Sequence, residues 1–161
     1  MKTLTLVRHA KASNDDPTLA DRDRPLVDRG RNEALEMGKR LARRKVKPDL
    51  LLSSPALRAL TTAQLMAERL GCERKDIAVD DRLYASSAQG LLAVIRALDD
   101  KLEHAMLFGH NPEFSELAHR LSSEIVAMPT CAVAEFRFDT TTWSELGRAA
   151  PVDATLDHPA K

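Results

Sequence analysis

The sequence predicts an α/β sandwich, and three observations carry that prediction. Short strand-like apolar runs alternate with helical patterns along most of the chain. Two of those runs, Leu50 to Leu52 and Ala105 to Phe108, are continuous rather than alternating, as expected of strands covered on both faces. The 161 residues, 43% hydrophobic and 30% charged, suit one compact domain and leave no room for two. We place that domain at residues 1–150 and a frayed C-terminal tail at 151–161.

The elements follow in order. Thr3 to Val7 reads TLTLV, a strand. Residues 14–29 are polar, with two prolines and many aspartates and arginines, and form a long loop of the kind that is often functional. Asp28 is positioned to cap a helix from Arg29, with Ala34, Leu35, Met37, Gly38, Leu41 and Ala42 at helical spacing; Pro48 ends anything helical. After the Leu50 run, Ser54 is a candidate N-cap with Pro55 at the first helical position, and Gly71 stops that helix. Ile77 to Val79 suits a short strand, and Ser86 or Ser87 opens a helix carrying Leu91, Leu92, Val94, Ile95 and Leu98. The Ala105 run ends in Gly109-His110-Asn111-Pro112, and a helix follows to about Leu121. Thr130 to Phe138 alternates as a strand, with Trp143 to Leu146 as a hairpin partner.

Lys plus Arg and Asp plus Glu number 24 each, so no global field draws the chain to nucleic acid or an anionic membrane, and any anion site must be built locally. Cys72 and Cys131 fit neither a metal spacing nor a disulfide framework and read as structural thiols in a reducing compartment. No window reaches membrane-spanning length and no targeting segment opens the chain, so a cytoplasmic monomer is the default expectation.

Three strand ends carry chemistry. The first finishes at Arg8-His9. The second runs through Ser53-Ser54-Pro55 into a helix bearing Arg58. The run at 105–108 finishes at His110. Ligands of open α/β sheets gather outside the carboxyl ends of the strands. If these strands are parallel neighbours, Arg8, His9, Arg58 and His110 meet. No carboxylate within the motifs pairs with them, and no further ligand stands at metal spacing. A tetrahedral dianion fits: arginine forks bind phosphoryl oxygens, a helix amino end adds N–H groups, and one imidazole can attack phosphorus while a backbone carbonyl holds its other nitrogen.

Those residues resemble the signatures of the histidine phosphatase superfamily, which includes phosphoglycerate mutases. The matches are Leu6-Val7-Arg8-His9-Ala10, the stretch Ser53-Ser54-Pro55-Ala56-Leu57-Arg58 continuing to Ala63, Gly109-His110-Asn111-Pro112, and Pro25-Leu26 followed by Gly30. Alanine at position 10 and the short length are similar to the SixA-like phosphohistidine phosphatases. The resemblance covers roughly the first 140 residues. It implies a phosphoglycerate mutase-like, three-layer α/β/α sandwich on a mostly parallel sheet with an antiparallel C-terminal strand. It implies His9 as a phosphorylated nucleophile, Arg8 and Arg58 as phosphate ligands, and His110 as a phosphate ligand that completes the pocket and stabilises the transition state, with no metal or cofactor. Its implied partner is a phosphohistidine-bearing protein or a small phosphorylated substrate. Relatives acting on esters carry an acidic proton donor after the third strand; Leu83-Tyr84-Ala85-Ser86-Ser87 holds none. Phosphohistidine has less need of one, because a ring of ordinary pKa near ~6.5 can already be protonated and leaves neutral. Asp80 and Asp81 could substitute, though aspartates before a turn are usually solvated.

Plainer explanations stand beside these. His104 and His119 read as structural or exposed, and His158 lies in the tail. Lys11, Ser13 and Asn14 either edge the pocket or are exposed loop residues. The basic run Arg40 to Lys47 is a solvated helix end. The competing functions are a phosphomonoesterase for a small metabolite and a phosphate-binding regulatory domain with little turnover.

Overall fold

The computed structural model describes residues 1–159. A six-stranded sheet forms the middle layer. In chain order its strands are β1 (Lys2–Arg8), β2 (Leu50–Ser53), β3 (Ile77–Val79), β4 (His104–Gly109), β5 (Val133–Phe138) and β6 (Asp153–Asp157). The helices are α1 (Asp28–Arg43), α2 (Leu57–Leu70), α3 (Ala88–Arg96) and α4 (Glu113–Leu121). The spatial order is β3-β2-β4-β1-β5-β6; the first four strands are parallel, and β5 runs antiparallel to both β1 and β6. The predicted α/β/α sandwich, with its mostly parallel sheet, is what forms.

Side-chain alternation explains the continuous apolar runs. On β4, Ala105 and Leu107 face one way into a cluster with α3 and α4, while Met106 and Phe108 face the other way into a cluster with α1 and α2. Leu4 and Leu6 against Val7 on β1, and Leu52 against Leu51 on β2, divide in the same way. A strand with helices on both faces has no solvent face on which to carry polar residues.

Several boundaries depart from the sequence expectation. The first helix begins at Asp28 itself, after Val27, so Asp28 lies in the first turn rather than at the cap. The second begins at Leu57, not at Pro55, because the chain stays extended through Ala56 and the Ser54 hydroxyl is engaged elsewhere. Gly71 ends α2 in the left-handed conformation (φ 76°), as the sequence suggested. The strand expected from Thr130 starts only at Val133, since Cys131 is left-handed (φ 63°). Trp143 to Leu146 forms no hairpin strand. Trp143 is fully buried, and its indole Nε1–H donates to the Leu102 carbonyl at 2.8 Å, which turns that segment inward as a 3-10 turn. Nor is the chain frayed after Pro151: Asp153–Asp157 pairs along β5 as an edge strand. Its largely exposed side chains carry little apolar signal, and its pairing is made by the backbone.

The long loop is tied down at the start of α1. Val27 N–H donates to the Lys11 carbonyl at 3.0 Å and Ser13 N–H to the Pro25 carbonyl at 2.8 Å. Gly30 lets α1 approach this segment; a Cβ there would sit 2.3 Å from the Lys11 carbonyl oxygen. Gly30→Ala must therefore push apart two backbones. We expect a loss of about 1–3 kcal/mol, read as a fall in Tm of about 2–4 °C per kcal/mol. An unchanged melting temperature would show that the contact yields freely.

Candidate active site

Sheet register builds the site. Arg8 on β1 lies opposite Gly109 on β4, and Phe108 lies opposite Ser53 on β2. His9 and His110 each stand one residue past adjacent parallel strands, so they emerge side by side; their ring centroids are 5.2 Å apart. Backbone bonds fix the ends: His9 N–H to the Gly109 carbonyl (3.0 Å), Cys131 N–H to the His9 carbonyl (3.1 Å) and Ser54 N–H to the Phe108 carbonyl (3.0 Å). Arg58 enters from the first turn of α2 and is 6% exposed. The structure thus brings all four sequence-derived candidates to one cavity of about 320 Å³, which Lys11 and Arg24 also line.

The protonation pattern follows from the contacts. His9 Nδ1 lies 2.7 Å from the Ala10 carbonyl. A carbonyl can only accept, so Nδ1 carries the proton and the Nε2 lone pair is free. His110 Nε2 lies 2.8 Å from Ser54 Oγ, which accepts from Ala56 N–H at 3.2 Å. Among the described residues the Ser54 proton has no other acceptor than His110 Nε2. That places the second imidazole proton on His110 Nδ1.

Three of the site's donors have no acceptor. Arg8 Nε, Arg58 Nε and His110 Nδ1 are buried without a hydrogen-bond partner among the described residues. Unmet buried donors are rare because each costs about 1–3 kcal/mol or more. Here three lie on residues lining one cavity beside a free imidazole lone pair. An anion with several acceptor oxygens matches this set of donors.

Burial also sets the charges. It lowers the His9 pKa to about 4, outweighing the Ala10 bond that raises it, and Arg58 and Arg8 push the same way as burial. His110 falls to about 3, again chiefly through burial, with His9 and Arg58 adding to it. Burial lowers the Arg8 pKa as well. At neutral pH both imidazoles are neutral.

The sequence missed several contributors. Asp21, from the long loop, takes Arg58 Nη1–H on its carbonyl (2.7 Å) and Nη2–H on its carboxylate (3.0 Å). The motifs contain no carboxylate partner for the cations, but the fold supplies this one. Tyr84 O–H donates to the same carboxylate at 2.6 Å, and with Arg58 holds Asp21 at a pKa of about 2. Arg24 also bonds Asp21 (3.2 Å) and is steadied by Asn14 Oδ1 and the Ser13 carbonyl. The loop's length was the only signal pointing to Asp21 and Arg24, and Tyr84 lay in the 83–87 stretch, which drew attention only for its lack of an acid. Asp80 and Asp81 stand apart from the site cavity: Asp80 is clamped by Arg82, 2.7 Å away, and Asp81 is exposed beside Arg22. His104, half-buried, bonds Thr5 Oγ1 (2.7 Å), and His119, exposed, bonds the Ile125 carbonyl (3.0 Å); neither lines the site cavity.

Known proteins resemble the chain in sequence and in fold. Residues 4–87 match the histidine phosphatase superfamily (branch 1). An uncharacterised protein of Mycobacterium tuberculosis is 33% identical over 129 residues, spanning 80% of this chain and 77% of that one. An uncharacterised chloroplastic protein of Arabidopsis thaliana is 29% identical over 154 residues, spanning 89% and 70%. Among solved structures, a protein assigned as phosphohistidine phosphatase SixA from Agrobacterium tumefaciens superposes with a TM-score of 0.81 at 27% identity, over 96% of this chain and 97% of that one. A protein histidine phosphatase SixA complexed with tungstate gives 0.78 at 25%, over 96% and 94%.

The buried neutral imidazoles have a consequence for stability. Unfolded histidine has a pKa near ~6.5, above the folded values of about 4 and about 3. Between these limits the unfolded chain binds more protons, so stability is full above pH 6.5 and is lost as pH falls towards 4. His104, lowered by burial, acts in the same direction. In phosphate-free buffer Tm should fall steadily from pH 7 to pH 5, at most about 1.4 kcal/mol per pH unit for each histidine. His9→Gln should make that slope shallower. A wild-type Tm that is flat over this range contradicts the buried neutral pair.

Proposed function

The chain belongs to the histidine phosphatase superfamily, on its SixA-like side, and from that premise we propose that this phosphatase removes the phosphoryl group from phosphohistidine on a protein through a covalent phospho-His9 intermediate. The observation that carries the reading is that three residues lining one cavity carry buried donors without a partner among the described residues, beside a histidine with a free Nε2. In this reading His9 Nε2 attacks phosphorus in line. Arg8, Arg58 and His110 Nδ1–H donate to the equatorial oxygens and stabilise charge where it spreads in the transition state. Arg24 and Lys11 add positive potential at the rim. Water then cleaves the phospho-His9 bond and frees His9.

A neutral nucleophile suits the first step, because protonation would remove the lone pair. The choice of phosphohistidine over an ester rests on the leaving group. An alkoxide needs a proton donor, and the carboxylate bonded to Arg58 and Tyr84 is ionised at neutral pH. A protonated phosphohistidine ring leaves without one. The reading of a binding domain is disfavoured, since phosphate binding alone has no use for a lone pair among the donors. The free thiols Cys72 and Cys131 support action in a reducing compartment such as the cytoplasm. Among the described residues no helix is long and apolar enough to cross a membrane.

His9→Ala should reduce turnover of a phosphohistidine peptide by at least about 10³-fold and abolish phosphoenzyme labelling, with the fold intact by circular dichroism. Wild-type turnover in that variant would overturn the nucleophile. Equal kcat/KM for an alkyl phosphate and the phosphohistidine peptide in the wild type would overturn the substrate.

A further inference from the structure

A second cavity, of about 360 Å³, adjoins the first and shares Arg58, His110 and Asn111 with it. Its character is different. The phosphoryl cavity is lined by Arg8, Lys11, Arg24 and Arg58 and by no carboxylate. The second carries two carboxylates, Asp21 and Glu113, and the ring of Tyr84. Tyr84 meets His110 edge-on at 5.6 Å and is held by its bond to Asp21. The next residue, Ala85, is left-handed (φ 53°), a conformation uncommon for alanine and often found where a site is held under strain.

Glu113 is the unexplained residue. It lies in the first turn of α4, is 6% exposed, and its carboxylate has no hydrogen-bond or ion-pair partner among the described residues. The residue is buried, yet neither of its oxygens is among the buried unpartnered atoms, so the carboxylate opens to the cavity that Glu113 lines. Asp21 is spoken for by Arg58 and Tyr84; Glu113 is not.

We propose that this second cavity is the leaving-group site, and that Glu113 selects a leaving group bearing positive charge, with Asp21 and Tyr84 forming the opposite wall. The inference rests on the phosphatase reading of the first cavity and deepens its substrate class. A protonated phosphohistidine is a dipolar substrate: a phosphoryl dianion bonded to a cationic ring. The two cavities offer the matching fields, cationic and then anionic, on either side of the wall made by Arg58 and His110. As the bond from His9 Nε2 to phosphorus forms, the bond from phosphorus to the substrate nitrogen breaks, and its electron pair returns to that nitrogen. The proton on the other ring nitrogen stays in place, hydrogen-bonded to Glu113, and the ring departs neutral. Glu113 holds a proton in place and supplies none.

The test measures kcat/KM for a phosphohistidine peptide, phosphoramidate, p-nitrophenyl phosphate and an alkyl phosphate in the wild type, Glu113→Gln and Glu113→Asp. Phosphoramidate also has a cationic leaving group in its protonated form. We expect Glu113→Gln to lower the ratio of each nitrogen substrate to p-nitrophenyl phosphate by about 10-fold or more, the scale of a hydrogen bond to a charged group, and Glu113→Asp to keep most of the ratio. Equal losses on all substrates would reduce Glu113 to a structural role, and a loss largest on the alkyl ester would make it a general acid; either overturns the proposal. If the wild type hydrolyses phosphoramidate but not the phosphohistidine peptide, the protein-substrate reading fails, and the phosphoramidate ratio still decides the cavity. The wild type alone gives an independent readout should the variants unfold. At pH 6 with tungstate bound, imidazole, largely a cation, should compete more strongly than neutral pyrazole of the same shape; equal competition sinks the cation site.

Discussion

The parallel register of β2, β4 and β1 is the constraint on which the site depends. It ends three neighbouring strands at one level, so that His9, Ser54 and His110 leave the sheet together. Adjacent strands lie about 4.8 Å apart, and the 5.2 Å between the two imidazoles is close to that spacing. A one-residue slip would send one of the rings to the opposite face. The slip is prevented by the core: Leu4, Leu6, Ala105 and Leu107 fill one helix-covered face, Val7, Met106 and Phe108 the other, and neither set can exchange with the residues beyond the strand ends.

That core holds an arrangement that the site's own charges oppose. Arg8 and Arg58 are drawn from water into the same cavity as Lys11 and Arg24, and three donors go without acceptors. Asp21 offsets one cation, through the long loop, and is only half-buried. Under the proposed phosphatase reading, the remaining imbalance is preorganisation for an oxyanion. An anion that bound there, to the folded state alone, would add to its stability.

What the sequence revealed of this, and what it hid, divides along a physical line. Arg8, His9 and His110 were legible because strand periodicity fixes where a strand ends and so which side chains its end presents. Arg58 was legible because Pro55 and the helical pattern placed it near a helix start, even though the helix begins two residues later than expected. Arg24, Asp21 and Tyr84 occupy segments without a period. Arg22 and Arg24 are equivalent in sequence; the bridge of Ala12 to Leu26, the bond of Val27 to Lys11 and the bonds of Arg24 to Asp21, Ser13 and Asn14 set Arg24 at the cavity. Glu113 stood in plain view beside the Gly109–Pro112 motif, but nothing in its spacing separates a first-turn carboxylate facing a cavity from one facing water. The edge strand β6 was hidden for a related reason: its contribution is a backbone ladder, which leaves little mark on side-chain pattern.

Ala10 links His9 to Arg58. Its carbonyl holds His9 Nδ1–H, and its N–H donates to Thr62 Oγ1 at 3.0 Å. Thr62, fully buried, donates in turn to the Arg58 carbonyl at 2.7 Å. A single chain of bonds therefore runs from the His9 ring through Ala10 and Thr62 to the first turn of α2. It fixes the imidazole's tautomer and the base of the Arg58 side chain at once. Each link uses a donor or acceptor that burial would otherwise leave unmet, so the chain resists being broken at any one point. The same burial keeps His9 neutral. Geometry, tautomer and charge state of His9 thus have a common origin in the packing of the β1 end against α2.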